Sequence, residues 1–394
     1  MAKKRKAHSL TGRIDDRLMM QAFKAVKRNR GAAGIDKVSI GMFENNLDAN
    51  LAALKRDLKT RGAFCPKPLR RVWIRKDAKG TKFRPLGIPA VRDRVAQEVV
   101  RRLLEPIFEP LFHDCSFGFR PGGSCHKAIE RVLSFHEEGD RVTLDADISG
   151  FFDNISHKLI VSAVASEVAD GNILNLIEKF LAAGVMEGGV FKPTTIGTPQ
   201  GGVISPLLAN IVLNQLDWRL EEAGYRFVRY ADDFVVVCKT HQQAEAAMAV
   251  TEEIMADLGL SLSPEKTKIA SYGKGYEFLG FRLSSRSRTM RSKSLEKFKT
   301  KVRELTRRCH NLDARVIEKL NRVIRGTANY FATNFSTTIW LFQQLDKWIR
   351  MRLRCMKFKR KSECDNYRLR QGTFDKKLGL LQMLSFTKTT MCTT

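Results

Sequence analysis

Two adjacent carboxylates, Asp232 and Asp233, interrupt a stretch of the chain that otherwise has the composition of a β-hairpin. The stretch 226–238 is rich in Phe, Val and Tyr, and Tyr230 and Ala231 come directly before the two acidic residues. Like charges about 4 Å apart repel each other by roughly 4 kcal/mol at an effective dielectric constant near 20. Such a pair at the tip of an apolar hairpin therefore predicts a bound divalent cation.

A second acidic run, 145–153, follows the short β-branched segment 141–144. Asp147 lies at the end of this predicted strand, where its carboxylate would be available to share a metal with Asp232 and Asp233. Three carboxylates at adjacent strand ends suit phosphoryl transfer with two Mg²⁺ ions, which activate the attacking hydroxyl and stabilise the leaving oxygen. Carboxylate ligands also favour Mg²⁺ over softer metals. The plain alternative for each acidic run is a solvated turn.

The charge of the chain restricts its partners. The 394 residues include 69 Lys and Arg against 42 Asp and Glu, which gives a formal net charge of +27. An excess of this size predicts a polyanionic partner, and nucleic acid is favoured over an anionic membrane because the sequence contains no apolar stretch of about 20 residues. The eight cysteines are scattered and show no zinc spacing, and no signal peptide is recognised. We therefore expect a reduced, cytoplasmic protein without membrane contact.

The order of predicted elements around the acidic runs is strand, helix, strand, strand, helix, strand, which is the pattern of a ferredoxin-like sheet. Upstream of these runs, 70–76 and 82–89 are predicted to form a β-hairpin with Lys and Arg at its tip. The segment 92–112 is predicted to form an amphipathic helix.

Basic residues are concentrated in two further places. The loop 28–34 contains glycines together with Arg28 and Arg30, a combination that suits phosphate contact. Beyond Ser285 the chain is predicted to form helices crowded with Lys and Arg, which indicates a separate helical lobe with basic faces.

Several motifs resemble the reverse transcriptases of group II introns and their bacterial relatives, and they occur in the order of that family. They are Arg84 to Pro89 with Arg92 to Arg94, Gly118 to Pro121, Asp147 in its acidic run, Gln200 to Gly202 with Ser205 to Asn210, Tyr230 to Asp233, and Phe278 to Phe281. The resemblance extends from about Lys27 to Lys361 and implies an α+β right-hand polymerase with fingers and a ferredoxin-like palm, followed by an α-helical basic thumb or maturase-like domain.

The same resemblance divides the chain into three parts. The N-terminal extension and fingers would occupy 1–84, the fingers and palm of the reverse transcriptase core 85–284, and the helical RNA-binding domain 285–394. The implied activity is RNA-directed DNA synthesis with two Mg²⁺ ions, for which Mn²⁺ is able to substitute.

The resemblance also implies the roles of individual residues near the metals. Asp147, Asp232 and the backbone carbonyl of Ile148 would hold the ions, with Asp233 close by. Lys266 would protonate the departing pyrophosphate, and its alternative is a solvated surface lysine.

For the incoming dNTP, the resemblance implies that Lys76 and Arg84 clamp the triphosphate, as cationic groups do in phosphoryl transfer. Phe152 would form an aromatic gate beneath the sugar, where its ring would clash with a 2′-hydroxyl; its alternative is a core phenylalanine. Gln200 would pack near the templating base pair.

For nucleic acid, the resemblance implies contacts by a second set of residues. Leu279, Gly280 and Phe281 would form the primer grip. Arg350 and Arg354 would contact the template duplex through phosphates and 2′-hydroxyls.

The implied partners are a structured RNA template, an RNA/DNA duplex and dNTPs, and the oligomeric state stays open. Because 362–394 carries no endonuclease ligands, we expect a free-standing bacterial enzyme that copies a dedicated noncoding RNA in antiphage defence. The alternatives are a group II intron maturase and reverse transcriptase for splicing and retrohoming, a CRISPR-associated reverse transcriptase, and a non-catalytic RNA chaperone.

Overall fold

The computed structural model describes residues 6–75, 83–198 and 201–391, with the side chains of 388–391 excepted. Lys76 and Gln200, two of the predicted dNTP-site residues, lie outside the described residues. The chain divides into two compact units, Met1–Ile269 and Ala270–Thr394.

The first unit combines helices with two sheets. Its helices are α1 (Asp16–Arg28), α2 (Ile40–Glu44), α3 (Leu47–Lys59), α4 (Val91–Phe108), α5 (Cys125–Glu137), α6 (Phe151–Asn154), α7 (His157–Ala165), α8 (Gly171–Leu181), α9 (Ser205–Glu222) and α10 (His241–Asp257). Its strands are β1 (Leu69–Arg75), β2 (Phe83–Ile88), β3 (Val142–Asp147), β4 (Val185–Glu187), β5 (Val190–Lys192), β6 (Arg226–Tyr230) and β7 (Asp233–Cys238), and β8 (Lys268–Ser271) crosses the unit boundary.

The central sheet of the first unit has the strand order β6-β7-β3-β8. Helices α7 to α9 lie between β3 and β6 in the chain, and α10 lies between β7 and β8, so the predicted ferredoxin-like order is confirmed. Strand β7 is buried continuously from Phe234 to Cys238, because helices cover the sheet. The hydrophobic hairpin thus supplies the core on which the acidic tip is mounted.

The second sheet has the order β2-β1-β4-β5. Strands β1 and β2 pair antiparallel from Arg70 opposite Ile88 to Arg75 opposite Phe83, which confirms the predicted hairpin. The short hairpin β4–β5 was not predicted from the sequence. It turns through Gly188 and Gly189 with φ of 57° and 85°, and two such residues favour a two-residue hairpin turn.

The second unit begins with an antiparallel meander and continues as helices. The meander consists of β9 (Tyr276–Phe278), β10 (Phe281–Leu283) and β11 (Arg288–Met290). The helices are α11 (Ser292–Leu305), α12 (Ala314–Phe331), α13 (Ile339–Phe358), α14 (Asp365–Arg368) and α15 (Met383–Met391). A helical, basic second part is therefore confirmed. Across the described ranges, no helix is long and apolar enough to cross a membrane.

Candidate active site

The three predicted carboxylates lie at one end of the central sheet. Antiparallel pairing of β3 with β7 places Asp147 directly opposite Asp233, a position in which Cβ atoms lie about 4.5–5.5 Å apart. Asp232 follows Ala231 in the tight turn between β6 and β7. Ala231 takes the left-handed conformation, with φ of 60°, which is uncommon for a residue with a Cβ atom. The turn that carries Asp232 therefore needs support from its surroundings.

Part of that support comes from Arg229, a residue that the sequence reasoning missed. Its side chain is fully buried in an ion pair with the equally buried Asp217 of α9, and Arg229 Nε donates to Asp217 Oδ1 at 2.7 Å. Arg229 Nη1 also donates to the Ala231 carbonyl at 3.0 Å and to Asn210 Oδ1 at 2.9 Å. The guanidinium thus ties the turn to a helix. An arginine inside an apolar hairpin was the available signal, because a buried charge requires a partner.

Gly118 gives the turn a second support. A Cβ atom at this position would lie 2.2 Å from the Ala231 nitrogen and 2.8 Å from the Tyr230 carbonyl carbon. Only glycine therefore permits this close approach. The amide of Asn210 joins the two supports, since its Nδ2 donates to the Gly118 carbonyl at 2.8 Å.

Lys266 lies against the first catalytic carboxylate. Its Nζ donates to Asp147 Oδ2 at 2.6 Å, although 61% of the lysine side chain is exposed. The backbone of the same segment pairs with β3, because Ser263 N donates to the Asp147 carbonyl at 2.7 Å and Leu262 forms a bridge with Ile148. This pairing fixes the position from which Lys266 reaches Asp147. Both the proton-donor role and the alternative of a solvated surface lysine stay predictions, since the Lys266 side chain contacts Asp147 and is also largely exposed.

Asp145 is a fourth carboxylate at this end of the sheet that the sequence reasoning did not assign to the site. Burial raises the pKa of Asp145 to about 6; Lys268, 3.5 Å away, opposes this rise, and the negative charges of Asp233 and Asp147 add to it. Alternate residues of a strand lie on one face, so Asp145 and Asp147 share the face of β3. The spacing in the sequence was the available signal.

The type of ligand fits a divalent cation, because clustered carboxylates offer hard oxygen ligands. Among the described residues, no three His, Cys, Asp or Glu side chains converge as they would around a metal ion. In this arrangement the ammonium of Lys266 neutralises Asp147. A metal ion bound by Asp147 would compete with this ammonium for the carboxylate.

Phe152 lies beside the metal-site strand on the short helix α6. Its side chain is half-buried, and its ring makes an edge contact with Phe151 at a centroid distance of 5.2 Å. The Phe152 carbonyl accepts from Thr198 N at 2.7 Å, and a Cβ at Gly197 would lie 2.8 Å from the same oxygen. The half-buried residue is compatible with the predicted gate, and both the gate and the alternative of a core phenylalanine stay predictions.

Arg84 lies in β2, opposite Ile74 of β1, and is exposed. The same strand approaches the segment just before α9 closely, since a Cβ at Gly201 would lie 2.3 Å from the Gly87 carbonyl oxygen. The sheet that carries Arg84 is thereby packed against the turn before α9.

The predicted primer-grip residues form a tight turn in the second unit. Leu279 and Gly280 join β9 to β10 with φ of 44° and 86°, and the Leu279 carbonyl accepts from the Tyr330 hydroxyl at 2.7 Å. The Phe281 ring is fully buried and packs 4.8 Å from the Phe331 ring. The buried Phe281 side chain therefore supports the turn, and nucleic-acid contact by the three primer-grip residues stays a prediction.

The basic residues Arg350 and Arg354 lie on α13. Arg354 Nε donates to the Leu369 carbonyl at 2.9 Å, and its guanidinium lies 5.3 Å from the Phe374 ring centroid. Arg354 therefore holds part of the second unit together. Both arginines line a basic cavity of about 440 Å³ together with Lys347, Arg360 and Lys361.

Arg28 ends α1 and Arg30 follows in the basic loop, and both are exposed. Buried Arg94 of α4 anchors this loop by donating to the Ala32 carbonyl and, at 3.0 Å, to the Pro89 carbonyl. The loop is therefore a supported structure that presents two cations to solvent.

Comparison with known proteins gives two matching family models. The model described as reverse transcriptase (RNA-dependent DNA polymerase) matches residues 74–283. The model described as group II intron, maturase-specific domain, matches residues 295–371.

Individual relatives agree with these matches. Protein YkfC of Escherichia coli K12 is 36% identical over 306 residues, which cover 67% of this chain and 80% of that protein. The group II intron-encoded protein LtrA of Lactococcus lactis is 40% identical over 211 residues, or 53% of this chain and 34% of LtrA. An uncharacterised 91 kDa protein in the cob intron of Schizosaccharomyces pombe is 32% identical over 304 residues, which cover 62% of this chain and 37% of that protein.

Proposed function

The chain belongs to the reverse transcriptase family of the group II intron type, and we propose that it synthesises cDNA on a structured RNA template with two Mg²⁺ ions. The observation that carries this proposal is the register of the central sheet, which sets Asp147 opposite Asp233 and beside the turn that holds Asp232. Members of this family generally use divalent metal ions. Three carboxylates at one sheet end are the ligands that such ions need.

The ions, when bound by Asp147, Asp232 and Asp233, supply Lewis-acid activation and charge neutralisation. Side chains of the protein would bind the dNTP and transfer the proton. Arg84 would attract the triphosphate electrostatically, and the Phe152 ring would exclude a 2′-hydroxyl. Lys266, when released from Asp147, would deliver a proton to a leaving phosphate oxygen.

For the biological role, we propose an intron RNA as the partner, because the second part of the chain matches a maturase-specific domain and a relative is a group II intron-encoded protein. The partners would then be intron RNA, the RNA/DNA duplex and dNTPs, in the bacterial cytoplasm. The antiphage role expected from the sequence has no comparable support among these observations. It remains the competing role, with a dedicated noncoding RNA as template.

The test of the activity is primer extension on an RNA template by wild type and by a variant with Asp232→Asn and Asp233→Asn. We expect the amount of product made by the variant to fall by at least about a thousandfold, because metal ions stabilise the transition state of phosphoryl transfer by several kcal/mol. The variant should keep its RNA affinity. Asp257→Asn, at an exposed ion pair with Arg219, is the matched control and should keep full activity. Equal product from both variants would overturn the proposal.

The role is tested by crosslinking the protein in cells that carry its native flanking DNA, followed by sequencing of the bound RNA and cDNA. Recovery of intron RNA with spliced junctions supports the intron role. One defined noncoding RNA with complementary cDNA that increases on phage infection would replace it with the defence role.

A further inference from the structure

The sheet β2-β1-β4-β5 has two faces, and one of them carries Arg84, the described residue of the predicted triphosphate clamp. Paired residues of neighbouring strands lie on the same face, and residues alternate between faces along a strand. Arg84 pairs with Ile74, so both lie on one face. Trp73, next to Ile74 in β1, and its partner Pro85 lie on the opposite face, which we call the Trp73 face.

The Trp73 face continues across the sheet. In register it carries Arg71, Trp73 and Arg75 from β1, Phe83 and Pro85 from β2, Glu187 from β4, and Val190 and Lys192 from β5. Three of its apolar side chains are open to solvent, with exposed fractions of 54% for Trp73, 50% for Phe83 and 61% for Val190. This is a large apolar exposure for a chain of such high charge. Leu69 and Val185 lie on the same face and are buried.

The Trp73 ring is held in place although it is exposed. Its Nε1 donates to Glu187 Oε1 at 2.9 Å, and Lys192 Nζ contacts the other oxygen of that carboxylate at 2.6 Å. The hydrogen bonds from Lys192 and Trp73 lower the pKa of Glu187, so the carboxylate stays ionised and continues to accept the hydrogen bond from the indole. The ring is thus oriented in advance, which reduces the entropy lost when a ligand stacks on it.

Three cations share the Trp73 face with this ring. Arg71, Arg75 and Lys192 lie on the Trp73 face against the single carboxylate of Glu187, which leaves the described part of the face with net positive charge. An aromatic ring flanked by cations on the surface of a β-sheet is the combination that binds unpaired nucleotides, because bases stack on the ring and phosphates pair with the cations.

We propose that the Trp73 face binds an unpaired segment of the RNA, outside the catalytic site of the first unit. The proposal rests on the proposed function for the identity of the nucleic acid, but the binding itself needs no catalysis. An unpaired strand suits the face better than a duplex, because a duplex hides its bases and offers the exposed ring nothing to stack on. The face would hold the template RNA while its other parts are copied.

The test uses the full-length protein first saturated with an unlabelled primer–template duplex, so that the catalytic site is occupied. A fluorescein-labelled RNA of about 20 nucleotides without self-complementarity is then added, and its affinity is measured by anisotropy. Wild type should bind it. Trp73→Ala should weaken the affinity by roughly tenfold or more, because loss of one stacked base has an effect of this size, whereas Trp73→Phe should stay within about threefold.

Trp340→Ala is the matched control, because Trp340 is also exposed, at 69%, but lies on α13. It should leave the affinity of the labelled RNA unchanged. Arg71→Ala combined with Arg75→Ala should weaken binding and reduce its salt dependence. Equal affinity of wild type and Trp73→Ala, or no binding by the saturated wild type, would overturn the proposal.

Two further measurements separate this proposal from others. At saturating template, Trp73→Ala should keep the wild-type rate of primer extension while its KM for the template rises; a fall in that saturated rate would place Trp73 in the catalytic site and overturn an outside location. Sedimentation that shows a dimer for wild type and a monomer for Trp73→Ala would make the face a contact between copies of the chain, and would also overturn it. Absence of primer extension in wild type would refute the proposed function while leaving RNA binding by this face measurable.

Discussion

Arg229 and Asp217 form an ion pair in which neither side chain is exposed to solvent, and the same guanidinium also binds the carbonyl of Ala231 in the acidic turn. The turn that carries Asp232 is therefore fixed to α9 through a buried charge. The pair couples the stability of the first unit to the geometry of its candidate metal site.

Removal of one partner of this pair should be costly. Asp217→Ala leaves the Arg229 charge buried without a counterion, which lowers the free energy of unfolding by about 3–5 kcal/mol. Arg219 lies on α9 like Asp217, and its partner Asp257 is exposed. Asp257→Ala should therefore lower the free energy of unfolding by less than about 1 kcal/mol. Urea unfolding followed by circular dichroism measures both. Similar losses in the two variants would contradict a special role for the buried pair.

Gly118→Ala should impair catalysis more than folding. The new Cβ would meet the Ala231 nitrogen at 2.2 Å, so the acidic turn must shift and the carboxylates lose their alignment. We expect primer extension to fall by about a hundredfold, as misplacement of about 1 Å does in enzymes. Gly12→Ala, where no atom lies within 4 Å of the added Cβ, is the control. Normal activity of Gly118→Ala would show that the turn tolerates displacement.

Replacement of Phe152 should change sugar selectivity. Phe152→Val removes the half-buried ring, so a ribonucleotide should be incorporated more readily, with the ratio of kcat/KM for dNTP over NTP falling by about tenfold or more. Phe151→Leu, a change in the adjacent and fully buried ring, should preserve the ratio. An unchanged ratio in Phe152→Val would remove this residue from the dNTP site.

Asp93 should make stability depend on pH. Burial raises the pKa of Asp93 to about 6, although the backbone N–H of Lys67 and the charge of Arg92 oppose the rise. A raised carboxyl pKa means that protonation favours the folded state, so this contribution is complete below about pH 4 and is lost as the pH rises through about 6. A shift of about two pKa units corresponds to roughly 3 kcal/mol.

The measurement for Asp93 is the difference in the free energy of unfolding between wild type and Asp93→Asn. Because the asparagine does not titrate, the wild type should lose up to roughly 3 kcal/mol of stability relative to Asp93→Asn between about pH 4 and pH 7. A difference that is flat over this range would show that the carboxylate is compensated in the folded protein.

The sequence alone predicted the elements whose evidence is local. The apolar, β-branched composition of 226–238 and the order of strands and helices indicated the ferredoxin-like sheet, and the acidic runs placed Asp147, Asp232 and Asp233 at its strand ends. Hydrophobic periodicity is a property of neighbouring residues, so it is visible without the fold. The β4–β5 hairpin was not predicted, because its strands have only three residues each and show too little periodicity.

Tertiary structure alone decided which distant side chains meet. Lys266 reaches Asp147 across 119 positions of the chain, and Asn210 reaches Gly118 across 92. The burial of Phe281 and the separation of Trp73 from Arg84 onto opposite faces also depend on packing and strand register. Such contacts result from the assembly of the whole sheet and its helices. Local residue patterns name the groups that form the site, but only the packed fold sets their partners.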